Sequence, residues 1–168
     1  MKNLRILGVD PGSRMTGVGI IEINGDRITP VYYGAIKAGS GEFTERLGII
    51  FTELQQLIRE FKPDQAAIET VFVAHNAASA IKLGQARGAA VCAAISCGLK
   101  VSEYSPRSIK QAIVGRGGAD KGQVQHMVGL LLGIKGPIQN DAADALAVAL
   151  CHQHTSQTLA RMAMMQQA

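Results

Sequence analysis

Residues 6–25, ILGVDPGSRMTGVGIIEING, constrain the fold more than any other stretch. Residues 6–9 read as a buried strand that ends on a carboxylate, Asp10. Pro11 and Gly12 force a turn, and a second strand, 17–23, begins almost at once. Asn24-Gly25-Asp26 is a hairpin signal leading into a third strand, about 27–36. Three strands joined by turns this short pair antiparallel. An ionised carboxylate at the end of a core strand is costly unless a charge partner or water meets it. Asp before Pro-Gly is also a good turn starter, so local turn chemistry is a second explanation of Asp10.

Downstream the pattern changes to helix–strand alternation. Phe43, Leu47, Ile50, Leu54, Leu57 and Phe61 recur every three or four residues, which predicts an amphipathic helix over 42–61. Lys62-Pro63-Asp64 ends it. QAAIE, 65–69, is a short apolar strand that, like the first, finishes on an acid, Glu69. After the loop TVFVAHN, residues 77–96 form a helix crowded with Ala and Gly, and 99–104 form a fifth strand. Ser105-Pro106 opens a helix, with Pro at a tolerated first position. GRGG, 115–118, is a basic loop, and Asp120 caps a helix through 132. GIKGPIQN then breaks the chain before a last helix from Asp141 to about residue 152.

The expected fold class is therefore α/β, a mixed five-stranded sheet with helices on both faces. Strands 1–3 are antiparallel, and the later strands join in parallel through helical crossovers. A chain of 168 residues suits one domain. We expect it over 1–154, with 155–168 a short C-terminal tail, frayed or disordered, because it shows no core pattern.

No apolar run approaches the roughly 18–20 residues of a membrane span, and the N-terminus lacks a signal-peptide pattern. Three cysteines without metal-ligand or disulfide spacing read as small buried apolar groups, consistent with a cytoplasmic protein. Net charge is +4. Between positions 107 and 136, Arg107, Lys110, Arg116, Lys121 and Lys135 are opposed by a single acid, Asp120, so this segment carries the whole excess. A localised basic segment is the footprint of a polyanion partner, although a solvated face gives the same pattern.

NDAADALAVAL places Asp141 and Asp144 three apart on one face of an almost wholly apolar helix. Helix-start electrostatics explains Asp141 easily and Asp144 less well. Asp10 and Glu69 end strands that the topology sets side by side, and ligand sites form beyond strand ends where connections diverge. Four converging carboxylates repel one another unless cations sit between them. An oxygen-only set suits Mg²⁺ or Mn²⁺ rather than zinc, and two such ions are the arrangement that cuts phosphodiester bonds.

With these residues in place, the chain closely resembles the RuvC family of Holliday junction resolvases, which have a ribonuclease H-like fold. The matching stretches are ILGVDPGSRMTGVGI, AIETVFVAHNAASAIKLGQARG, VGRGGADKGQVQHMV and NDAADALAVALCH. The resemblance implies a homodimer that binds four-way junction DNA and nicks two strands of like polarity symmetrically. It implies that Asp10, Glu69, Asp141 and Asp144 are catalytic metal ligands, with Mg²⁺, two ions per site, as cofactor and Mn²⁺ as a substitute. Lys121 and Lys110 match basic residues near the scissile phosphate, and Phe72 matches an aromatic that stacks on bases at the crossover. Arg107 and Arg116 join them as expected DNA-binding residues. A branch-migration motor complex is the implied partner, and no membrane is involved. His75, His126, His152 and His154 are expected to be structural or exposed. Gly122 departs from the family pattern, which predicts a looser helix start after Lys121.

Two other readings are an inactive junction-binding relative and an actin- or sugar-kinase-like ATPase. The second follows from GVDPGSRMTGVGI, which also resembles the first phosphate-binding hairpin of those proteins. They need a second similar domain that 168 residues do not provide.

Overall fold

The computed structural model describes residues 3–70 and 76–166. Phe72 and His75 lie outside the described residues. The elements are β1 (Leu4–Asp10), β2 (Met15–Asn24), β3 (Arg27–Lys37), α1 (Phe43–Phe61) and β4 (Gln65–Glu69). They continue with α2 (Ala77–Ser96), β5 (Lys100–Tyr104), α3 (Pro106–Val114), α4 (Lys121–Leu132) and α5 (Asn140–Met165). One five-stranded sheet runs in the order β3-β2-β1-β4-β5. β1, β2 and β3 pair antiparallel, and β4 joins β1 and β5 in parallel. The expected mixed sheet is present.

Strand alternation divides the core into two layers. Leu7, Val9, Val18 and Ile20 pack with Ile50 and Leu54 of α1 and with Ala86 and Ala90 of α2. Ile6, Ile21 and Ala67 point the other way, against α5, α3 and α4. On that side α5 lies almost on the strand backbones. A Cβ at Gly8 would stand 2.1 Å from the Ala145 carbonyl oxygen, and one at Gly17 2.0 Å from the Asp141 carbonyl oxygen. The glycines of β1 and β2 and the alanines of α5 therefore interlock, because neither surface carries bulk at the contact.

Three local expectations are corrected. α5 runs to Met165, well past residue 152, so most of the expected tail is helical. No Gly or Pro follows Pro137, and the Ala, Leu, Met and Gln of this stretch are good helix formers. Leu159, Met162, Met164 and Met165 are exposed there, which matches the missing core pattern. Cys92 is exposed on α2, whereas Cys151 is buried. Gly122 does not loosen α4, because Asp120 and Gln123 close a full capping box around it.

Candidate active site

Parity along the strands brings the acids together. Asp10 shares the face of Ile6 and Gly8, and Glu69 shares the face of Ala67, so both project toward α5. β1 and β4 are parallel, with Val9 opposite Ile68, so the two acids end neighbouring strands at one edge. Asp10 lies opposite Gly17 on β2, and Gly17 touches the backbone of Asp141. The glycine contact thus sets the first turn of α5 beside Asp10. Asp144, one turn on, reaches a cavity of about 190 Å³ that Glu69, Lys110 and Lys121 also line.

The electrostatics show how crowded this edge is. Burial, a hydrogen bond shared with Glu69, and repulsion from Glu69, Asp144 and Asp141 push Asp10 up to about 9. Burial also raises Glu69, while Lys121 and Lys110 draw it back down. The pair therefore holds a proton near neutral pH when no cation is bound. Lys121 Nζ lies 2.7 Å from Asp144 Oδ2, and that hydrogen bond holds the lysine pKa above its ordinary value. α4 begins at Lys121 under its cap, which fixes the residue's backbone beside the cavity, and Asp144 holds the ammonium there.

Among the described residues, no three His, Cys, Asp or Glu side chains are drawn tightly into a ligating cluster. A proton between Asp10 and Glu69 and the Lys121 ammonium on Asp144 supply the positive charge the acids require. Such a set of hard carboxylate oxygens, short of counter-charge, fits a divalent cation of the magnesium type.

The model of the family described as crossover junction endodeoxyribonuclease RuvC matches residues 6–152. The chain belongs to the RuvC family. The Methylococcus capsulatus crossover junction endodeoxyribonuclease RuvC is 53% identical over 161 residues, covering 96% of this chain and 97% of that protein. The Marinobacter nauticus protein of the same name is 56% identical over 158 residues, covering 94% and 90%. Thermus thermophilus RuvC in complex with a Holliday junction substrate superposes with a TM-score of 0.86 at 32% identity, covering 92% and 96% of the two chains. RuvC proteins are metal-dependent nucleases with this α/β fold.

Of the residues the RuvC resemblance singled out, Asp10, Glu69, Asp141, Asp144, Lys110 and Lys121 come together at this edge. Arg107 packs its stem near Gly117 of the loop between α3 and α4, and Arg116 is exposed in that loop. Neither lines the cavity. His152 is buried and structural. Its Nδ1 lies 2.8 Å from the Tyr104 hydroxyl and its Nε2 2.9 Å from Gln65 Oε1. His126 is exposed.

Sequence reading missed the residues that hold the turn after Asp10. Thr16 is fully buried, and its hydroxyl donates to the Gly12 carbonyl at 2.9 Å. Arg46 is 8% exposed, and its Nη1 donates to the Ser13 carbonyl at 2.9 Å. Its guanidinium also sits 5.0 Å from the centre of the Phe43 ring. The signal was available: Arg46 precedes Ile50, Leu54 and Ile58 at four-residue spacing, an arginine on a core-facing helix row.

Proposed function

We propose that this protein is an endodeoxyribonuclease that resolves four-way (Holliday) junctions in homologous recombination and DNA repair. It makes paired symmetric nicks and leaves 5′-phosphate and 3′-hydroxyl ends. The observation that carries this reading is the convergence of Asp10, Glu69, Asp141 and Asp144 with two lysines at one sheet edge. Asp10, Glu69, Asp141 and Asp144 would hold Mg²⁺, two ions per site, with Mn²⁺ able to substitute. When bound, these ions supply an activated water and neutralise the leaving oxygen.

The remaining work falls to the chain. Lys121 and Lys110 meet the charge that develops on the scissile phosphate from the cavity wall. Arg107 and Arg116 bind flanking backbone phosphates, and Phe72 stacks on a base at the crossover. A homodimer suits a substrate with two equivalent strands, since two-fold symmetry presents two sites at once. The exposed face of α2, with Ile81, Cys92 and Ile95, is the proposed interface. A branch-migration motor complex is the proposed partner and the cytoplasm the proposed location. Among the described residues no helix is long and apolar enough to cross a membrane.

The test compares an end-labelled four-way junction with a linear duplex of the same sequence, each with Mg²⁺ and with EDTA. Paired nicks confined to the junction and dependent on metal support the proposal. An intact junction under every divalent metal, with tight binding retained, supports an inactive binding protein instead.

A further inference from the structure

A larger cavity than the one at the acids lies beside it in the described structure. It is an open groove of about 560 Å³ between α4 and the segment that leads from α4 to α5. The groove starts at Gly122, the residue after Lys121, and runs down the outer face of α4 past His126 and Gly129. Its far wall is the turn at Lys135 and Gly136, and Ile138 lies beneath. Gly129 leaves the floor open, with no side chain in the space that a Cβ would fill 3.9 Å from the Ile134 carbonyl and Ile138 Cδ1. At the upper end Gln125 Nε2 donates to Asn140 Oδ1 at 2.8 Å, tying the groove to the residue before Asp141.

We propose that this groove carries the DNA backbone of the arm next to the cut, with Lys135 as its phosphate contact; the proposal rests on the junction-nuclease reading. Two observations point to that occupant. One is charge: Lys135 belongs to the segment that holds the protein's whole net positive charge, and unlike Lys110, Lys121, Arg107 and Arg116 it neither lines the acid cavity nor belongs to or packs against the loop between α3 and α4. Lys135 and His126 are both exposed, so each is open to a ligand. The other is continuity. A strand whose phosphate sits at Lys121 meets Gly122 next, with no side chain to bar the way. The apolar floor suits the faces of deoxyribose rings between phosphates. A groove of this kind reads backbone and not sequence, so it adds affinity and register without base preference.

Counterion release gives the test a number. Each phosphate neutralised on duplex DNA contributes about 0.9 to the slope of log affinity against log salt. Junction binding is measured from low to moderate salt without divalent metal, for the wild type, Lys135→Gln and Arg59→Gln. Arg59 is exposed on α1, on the opposite layer, and serves as the control. The expected result is a slope shallower by about 1.8 for Lys135→Gln, about 0.9 for each of the two protomers on one junction, and no change for Arg59→Gln. Lys135→Glu, equally exposed and equally able to fold, should weaken binding further at low salt. A Lys135→Gln slope equal to that of the wild type overturns the groove, and so does weaker binding with the slope unchanged, which would indicate a non-ionic or protein-docking role. Failure of the wild type itself to bind junctions would instead overturn the nuclease reading.

Discussion

Replacing Asp10 with Asn should make the metal-free protein more stable while removing its chemistry. In the folded chain Asp10 is pushed from its ordinary 3.8 up to about 9. An acid whose folded pKa is raised binds an extra proton on folding at every pH between the two values. Its contribution to stability is therefore lost progressively as pH rises from 3.8 through 9. At pH 7.5 the penalty has an upper bound of about 5 kcal/mol, taking 1.36 kcal/mol per pH unit. Asn carries no charge and can donate to Glu69 in place of the shared proton, although it accepts less well. A net gain of about 2 kcal/mol is the expectation, or roughly 4–8 °C in Tm for a domain of this size. The assay is thermal melting in EDTA from pH 5 to pH 9. The wild type should lose stability across that range, and Asp10→Asn should show a much flatter profile. Added Mg²⁺ should raise the Tm of the wild type and barely move the variant, because a ligand stabilises only the state that binds it. An Asp10→Asn protein that melts at or below the wild type in EDTA at pH 8 would refute the view of Asp10 as an electrostatically strained carboxylate.

Lys121→Ala should lower junction cleavage about a hundredfold at saturating substrate, the loss typical of one group that meets transition-state charge; an unchanged single-turnover rate would contradict its place at the phosphate. Gly17→Ala should destabilise the fold by about 3 kcal/mol or more, because the new methyl would collide with the Asp141 backbone and neither strand nor helix can yield cheaply. Denaturant unfolding checks this, and a change below about 1 kcal/mol would show that α5 is not seated where described. Burial holds the His152 imidazole below its ordinary 6.5. Its share of stability is present above that value and lost as pH falls through the lowered one. An NMR titration of the imidazole should place its midpoint below 6.5, and an ordinary or raised midpoint would be the contrary result.

The sheet was legible because its signals are local. Asn24-Gly25 marked the hairpin, and two short strands ending on acids marked the site edge. Period-four spacing marked α1, and the helix start at Asp120 followed from capping chemistry. Three things were not legible. The extension of α5 carries helix propensity without a core face, and periodicity finds only helices that bury one side. For Arg46 the place on a core-facing helix row could be read, but the turn it holds needed the folded chain. The Gly8, Gly17 and Gly19 contacts with α5 join residues more than a hundred positions apart, so only the folded chain shows why those glycines carry no side chain. The site acids were visible as types and spacings. The proton shared by Asp10 and Glu69 and the salt bridge from Lys121 to Asp144 needed the structure.

The most direct measurement sets junction affinity beside Mg²⁺-dependent cleavage for four variants, Asp10→Asn, Glu69→Gln, Asp141→Asn and Asp144→Asn. If the four acids form one metal site, every variant binds the junction at least as tightly as the wild type, and each cuts at least about a hundredfold more slowly. Cleavage near the wild-type rate in any one of them, or cleavage that survives EDTA, would contradict the account.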